Sequence, residues 1–175
     1  MTLPAAFVDA VTDALEPAQI KTDADSLETY GKDWTKHFAP APSMILFPRS
    51  TLEVQAIVKA AYEHEVAITP SGGRTGLSAG AVAANGEVVI SLDKMNKVIE
   101  FFEADRMVHV EAGMVTEALQ NFAQEKNLYY PVDFASAGSS QIGGNIGTNA
   151  GGIKVIRYGM TRQWVLGLTV VTGTG

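Results

Sequence analysis

Between Pro131 and Gly159 the chain reads PVDFASAGSSQIGGNIGTNAGGIKVIRYG, with glycine at 138, 143, 144, 147, 151, 152 and 159. Ser136, Ser139, Ser140, Asn145, Thr148 and Asn149 fill the gaps. No apolar run here is long enough for an ordinary strand or core helix. A segment this bare stays in a compact domain when something packs onto its backbone, because long structureless loops are uncommon unless functional. Glycine lets the main chain turn freely and approach a ligand closely. Successive exposed N–H groups then form concavities for anions and carbonyl oxygens. Ile142, Ile146, Ile153, Val155 and Ile156 punctuate the stretch and predict that it is pinned, not floppy.

The rest of the composition narrows the possibilities. The 175 residues fit one domain, or one domain plus a piece of another. A hydrophobic content of 46% supports a sizeable core. The net charge of −6 argues against nucleic acid as a main partner. The chain has no cysteine, which removes disulfides, thiolate metal sites, Fe–S clusters and cysteinyl cofactor links. The start, MTLPAAFVDAVTDALEP, lacks a basic region and a long apolar run, so neither a secretory signal nor a transit peptide is expected. No stretch is long enough to span a membrane. The expectation is a soluble, cytoplasmic protein.

Taken in order, Phe7, Val8, Val11 and Leu15 repeat at helical spacing before Pro17. Ile20 to Pro42 reads as irregular, with Tyr30, Asp33 and Trp34 near its middle. Met44–Pro48 reads as a buried strand. Thr51 is the expected N-cap of a helix carrying Val54, Ile57, Val58, Ala61 and Tyr62 on one face. Val66–Thr69 reads as a second strand, parallel to the first in a βαβ unit. Glu87–Leu92 is a further strand. Val98–Phe102 and Met107–Glu111 pair around Ala104–Arg106. Thr116 is the expected cap of a helix to about Lys126. Val165–Val171, apolar on both faces, reads as a central strand.

A second glycine-rich element, PSGGRTGLSAG, follows the second strand at Pro70–Gly80. Ligands of α/β sheets bind at such carboxyl ends. The loop has no lysine of a P-loop, and glycines at 72, 73, 76 and 80 do not spell the dinucleotide fingerprint. Gly72, Gly73 and Gly76 can present amides, and Ser71, Thr75 and Ser78 hydroxyls. For Arg74 two roles stand equally open, balancing a phosphate and making a surface salt bridge. His37, His64 and His109 are scattered and read as structural.

The loop PSGGRTGLS and the segment GSSQIGGNIGTNAGG…RYG together resemble the FAD-binding domain of the vanillyl-alcohol oxidase superfamily, also called PCMH-type. Within it the chain is most similar to D-2-hydroxy-acid dehydrogenases, the D-lactate, D-2-hydroxyglutarate and glycolate-oxidase-subunit relatives. The likeness begins near Tyr30–Thr35 and runs through SLDKMN and VEAG to the end. It implies an α+β fold of two α/β subdomains with FAD between them, incomplete at its carboxyl end. The corresponding divisions are a lead-in over residues 1–42, a first subdomain over 43–103 and a truncated second subdomain over 104–175.

The resemblance also assigns the site. FAD offers a dianionic pyrophosphate, a polyhydroxylated chain and a flat ring. Pro70, Ser71, Gly72, Gly73, Arg74, Thr75, Gly76, Leu77 and Ser78 suit the pyrophosphate. Ser139, Ser140, Asn145, Thr148 and Asn149 suit the hydroxylated chain. Gly143, Gly144, Gly151 and Gly152 suit the ring, and Pro131, Gly138, Ile142, Tyr158 and Gly159 would lie along the cofactor. Some relatives tether the flavin through a histidine in the first loop. Arg74 stands at that place here, so the FAD is expected to be non-covalent. Ala79 before Gly80 departs from a frequent glycine pair.

The implied reaction passes the Cα hydrogen of a 2-hydroxy acid as hydride to flavin N5 while a base takes the hydroxyl proton. Relatives carry the base, the substrate clamp and, in several cases, a divalent metal in later sequence. The catalytic residues are therefore expected beyond residue 175, with no metal in this chain. A carrier protein or a quinone would take the electrons, and the full-length enzyme would be a homodimer. A non-catalytic nucleotide-binding module and a nicotinamide enzyme opening at the final TGTG are the alternatives. A hairpin turn is the simpler account of TGTG.

Overall fold

A computed structural model describes residues 2–175. The chain forms two compact units, one ending at Lys94 and rejoined by Thr169–Gly175, the other spanning Met95–Leu168.

The first unit is built on a four-stranded sheet. Its strands are β1 (Ile20–Lys21), β2 (Met44–Leu46), β3 (Ile68–Ser71) and β4 (Val88–Ser91), in the order β1-β2-β4-β3. β2 and β3 run parallel to β4, and β1 is antiparallel at the edge. β2 and β3 are thus parallel as the βαβ reading requires, with β4 inserted between them. Alternation along the strands feeds two cores. Met44, Leu46, Val88 and Ile90 face the helices α1 (Ala5–Ala14) and α3 (Thr51–Glu63), where Phe7, Val11, Ile57 and Val58 are buried. Ile45, Phe47 and Val89 face the other way, against Ala83 and against Leu27 and Tyr30 of α2 (Ala24–Tyr30). Ile57 is wholly buried, so its truncation to alanine would cost about 2–5 kcal/mol. Pro70 sits in β3, an edge strand paired on one side only, where a missing N–H is tolerated.

Capping fixes α3. Its N-cap is Ser50, not Thr51: the Ser50 side chain accepts from the Glu53 N–H at 3.2 Å, and its backbone is extended at φ −150°. Threonine one residue later is already helical, so its hydroxyl cannot take that place. The helix ends in a Schellman turn. The Val66 N–H reaches the Ala61 carbonyl at 2.8 Å and the Glu65 N–H the Tyr62 carbonyl at 3.4 Å, with Glu65 left-handed at φ 56°. His64 is the C-cap of that turn. The stretch from Ile20 to Pro42 is more regular than expected, because it contains β1 and α2. Asp23 caps α2 by accepting the Ser26 N–H at 2.9 Å.

The second unit opens with the antiparallel pair β5 (Val98–Phe102) and β6 (Met107–Val110), turned by Arg106 at φ 52°. Helix α4 (Thr116–Glu125) follows. Its N-cap is Val115, so Thr116 is not the cap expected for it. The glycine-rich stretch then forms α5 (Ile142–Thr148), α6 (Val155–Tyr158) and a 3₁₀ turn over Thr161–Trp164. A helix there corrects the expectation of irregular chain. Ile142 and Ile146 supply just enough apolar contact to seat it against Met114, Leu119, Val108 and Val110.

Val165–Val171 is not the expected central strand. It carries no regular structure and joins no ladder among the described residues, and Leu166 and Leu168 are mostly exposed. Apolar composition favours an extended chain, yet a strand also needs a neighbour for its N–H and C=O groups. The terminal TGTG forms a turn closed from the Gly175 N–H to the Thr172 carbonyl at 2.9 Å.

Candidate functional site

In the first unit the loop grows out of β3. Pro70 and Ser71 are the last strand residues, and residues 72–78 carry no regular structure. Among the described residues, no group accepts a hydrogen bond from the main-chain N–H of any residue from Gly72 to Ser78. Buried backbone donors almost always find a partner within the fold; these seven lie on half-buried and exposed residues, where they stand open to water or to a ligand. Arg74 and Ala79 stand in left-handed backbone, at φ 57° and φ 60°. Such residues cost about 1–3 kcal/mol each and concentrate at ligand clamps. At the head of the loop Ser71 is buried, and its Oγ has no hydrogen-bond partner.

Neighbouring side chains hold this loop. The Arg74 guanidinium donates to the Gly72 carbonyl at 2.8 Å, pairs with the Asp93 carboxylate at 3.3 Å and covers the Tyr30 ring at 4.5 Å. Burial, with the Asp93 charge second, pushes the Tyr30 hydroxyl pKa above its ordinary value. The Trp34 N–H donates to the Gly76 carbonyl at 3.0 Å. Asp33 accepts the Thr35 N–H through Oδ1 at 2.7 Å. Its Oδ2 is buried without a partner and lies 3.5 Å from where a Cβ on Gly76 would stand. Thr75 is half-buried, and Gly76, Leu77 and Ser78 are exposed. Tyr30, Asp33 and Asp93 lie against this loop, and the sequence alone did not bring them to it.

In the second unit the glycines divide by what their bareness is for. A Cβ on Gly152 would fall 1.8 Å from the Asp133 carbonyl oxygen, and one on Gly143 2.9 Å from the Ala112 Cβ. Gly159 turns the chain at φ 76°, against Gln163. These three are required by the fold itself. A Cβ on Gly138 would come tightly, at 3.2 Å, against the Glu117 carboxylate, whereas one on Gly151 would make only ordinary contact with Met160 at 3.4 Å. Gly144 and Gly147 differ: a Cβ on either would meet nothing within 4 Å. They lie three apart on the exposed side of α5, one face of the helix. Glycine inside a helix costs about 0.5–1 kcal/mol relative to alanine, and no contact among the described residues accounts for it here. A flat group lying on that face would. The N–H groups of Gly144, Gly151 and Gly152 likewise donate to no described residue.

The polar side chains of the stretch are partly committed. Thr116 is fully buried at the centre of a network: its Oγ1 lies 2.7 Å from the Ser140 Oγ and accepts from the Asn145 Nδ2 at 2.7 Å. Ser140 and Asn145 therefore brace the base of α5. Asn149 is the left-handed C-cap at φ 48°, and its Oδ1 accepts the Arg162 N–H at 3.0 Å. Thr148 donates back to the Gly144 carbonyl at 2.9 Å, and Ser139 is exposed. Pro131 and Ile142 are buried. Tyr158 meets the Tyr129 ring edge-on at 5.8 Å. Lys154 links Tyr129 at 2.7 Å and Asp133 at 2.9 Å, and these contacts, the tyrosine hydroxyl first, hold its ammonium above the ordinary lysine range. Among the described residues, no group of three His, Asp or Glu side chains gathers as metal ligands do.

Each unit thus presents bare main chain: free amides suited to a phosphate in one, and a side-chain-free helix face suited to a ring in the other. The profile of the FAD binding domain family matches residues 42–175. A D-2-hydroxyglutarate dehydrogenase of Stutzerimonas stutzeri is 68% identical over the whole chain, which spans 38% of that protein. A mitochondrial D-2-hydroxyglutarate dehydrogenase of Bos taurus is 37% identical over 95% of the chain, or 30% of its own length. Among solved structures, an alkyldihydroxyacetonephosphate synthase superposes with a TM-score of 0.91 at 23% identity, over 99% of this chain and 38% of that one. The chain belongs to the FAD-binding domain family, with the α+β fold of the PCMH type, and FAD is its cofactor.

Proposed function

We propose that this chain is the FAD-holding part of a dehydrogenase that oxidises a D-2-hydroxy acid, of the D-2-hydroxyglutarate class, to the 2-keto acid. The observation that carries the cofactor half is the run of seven unpartnered N–H groups at Gly72–Ser78. The substrate half leans on relatives that bear the D-2-hydroxyglutarate name and are about three times as long as the stretch matched here. The loop amides would hold the pyrophosphate by direct donation, a role in which backbone dipoles need no lysine. Ser71, whose buried Oγ lacks a partner, would donate to the same anion. Ser139, exposed ahead of α5, and Thr148, exposed at its last position, would meet the hydroxylated chain. Gly144, Gly147, Gly151 and Gly152 would lie along the ring, with Tyr158 and Gly159 at its margin.

Bound flavin supplies a hydride acceptor for the substrate Cα hydrogen. The part played by this chain is to fix the ring and exclude water from one of its faces. The chain has no cysteine, and Arg74 occupies the tethering position, so the flavin is held without a covalent link. The substrate clamp and the base belong to sequence outside these residues. A carrier protein or quinone receives the electrons, the cytoplasm is the compartment, and the full-length enzyme is a homodimer.

Anaerobic addition of D-2-hydroxyglutarate to the full-length holoprotein should bleach the flavin absorption, with the L enantiomer inert. Flavin that stays oxidised across a panel of D-2-hydroxy acids, D-lactate included, would reduce the protein to a cofactor-binding module. Acid precipitation should leave the flavin in the supernatant; a yellow pellet would refute non-covalent binding.

A further inference from the structure

Arg74 lies within the loop of free amides, where a cation invites the reading of a phosphate ligand. Its contacts point elsewhere. The guanidinium is engaged on three sides at once: by the Gly72 carbonyl at 2.8 Å, by both Asp93 oxygens at 3.3 and 3.4 Å, and by the Tyr30 ring face at 4.5 Å. Both members of the ion pair are only 22% exposed. These partners come from three separate places: the loop itself, the chain just past β4, and the last residue of α2. At the same position the backbone is left-handed, a geometry that arginine adopts only when its surroundings impose it. A guanidinium released from Asp93 to meet a phosphate would leave a largely buried carboxylate without its cation, an expensive exchange.

We infer that Arg74 is a positioning residue, and that Tyr30 and Asp93 are its partners. Clamped to Asp93 and Tyr30, Arg74 holds the loop in the shape that keeps the amides of Gly72–Ser78 free and turned outward. It does not neutralise the anion. Two consequences separate this from direct phosphate contact. Weakening Asp93 should harm cofactor binding, because the clamp opens; if Arg74 were a phosphate ligand, the same change would free the guanidinium and help binding. Losses at Arg74 and Asp93 should also not add, since both act through one contact.

The inference rests on FAD binding at this loop. The test uses the full-length protein stripped of flavin and titrated with FAD, as wild type, Arg74→Ala, Asp93→Asn and the double variant, at two ionic strengths. Melting temperatures without flavin serve as the folding control, with Arg74→Lys as a milder variant should Arg74→Ala fail to fold. Each single variant is expected to weaken FAD binding about tenfold, and the double variant no further. The salt dependence of FAD affinity should be unchanged by Arg74→Ala or Arg74→Lys. An Asp93→Asn protein that binds FAD as well as or better than wild type, additive losses, or a flattened salt dependence overturns the clamp. A wild-type protein that binds no FAD would instead overturn the functional reading, and the clamp with it.

Discussion

Substituting Gly144 and Gly147 by alanine should separate two properties that mutations usually move together. A Cβ at either position meets nothing within 4 Å, so the fold can accept both methyl groups. Each exchange removes a helix-interior glycine, a gain of about 0.5–1 kcal/mol. Together they should raise the melting temperature of the flavin-free protein by about 2–8 °C, using about 2–4 °C per kcal/mol for a chain of this size. The same methyls stand where the account places the flavin ring. A carbon about 1.5 Å out from the main chain lifts a stacked ring enough to forfeit a large share of its contact energy. FAD affinity should fall at least about tenfold per substitution, equivalent to about 1.4 kcal/mol. Thermal melting without flavin and FAD titration of the same preparations measure the two effects. Higher melting with unchanged FAD affinity would show that no ring lies on this face. Lower melting would refute the reading of α5 as a helix that tolerates side chains there.

Gly152→Ala should behave in the opposite way: its Cβ would fall 1.8 Å from the Asp133 carbonyl oxygen, which also accepts the Ile153 N–H at 3.1 Å. The clash and the lost hydrogen bond together should cost about 2–4 kcal/mol, measured by urea denaturation. Thr116→Val removes the hub that serves Ser140 and Asn145 and leaves two buried groups unpaired. A loss of about 2–4 kcal/mol is expected, and an unchanged urea midpoint would contradict the network. Tyr130, whose hydroxyl burial pushes up to about 12 from 10.0, binds its proton more tightly when folded than when unfolded. Its contribution is therefore intact below pH 10 and declines as the pH rises toward 12. Tyr130→Phe should flatten the fall in stability between pH 10 and 12, with no change at pH 8, in paired denaturation curves.

Where the sequence could be read and where it could not follows one physical division. Repeats such as Val54, Ile57, Val58 and Ala61 announce α3 because its burial is local in pattern, and β5 and β6 announce themselves in the same way. Helix α5 was hidden because three of its seven residues are glycine, which erases propensity, while the two isoleucines that seat it are too few to set a period. Val165–Val171 misled in the other direction: its residues favour extended chain, but partners are a property of the rest of the fold. The choice of Ser50 over Thr51 turns on one backbone angle. The glycine motifs made the candidate surfaces visible, yet not which glycines serve the fold. That distinction needed the distance from Gly152 to Asp133 and the open space at Gly144. Likewise Arg74 offered two roles on paper, and the place of Asp93 across the β4 end is tertiary information.

Hydrogen exchange at single-amide resolution, with and without FAD, tests the central claim most directly. The amides of Gly72–Ser78 and of Gly144, Gly151 and Gly152 have no acceptor among the described residues, so they should exchange fast in the flavin-free protein and slow together when FAD binds. Full flavin occupancy with no added protection at either set of amides would contradict the account.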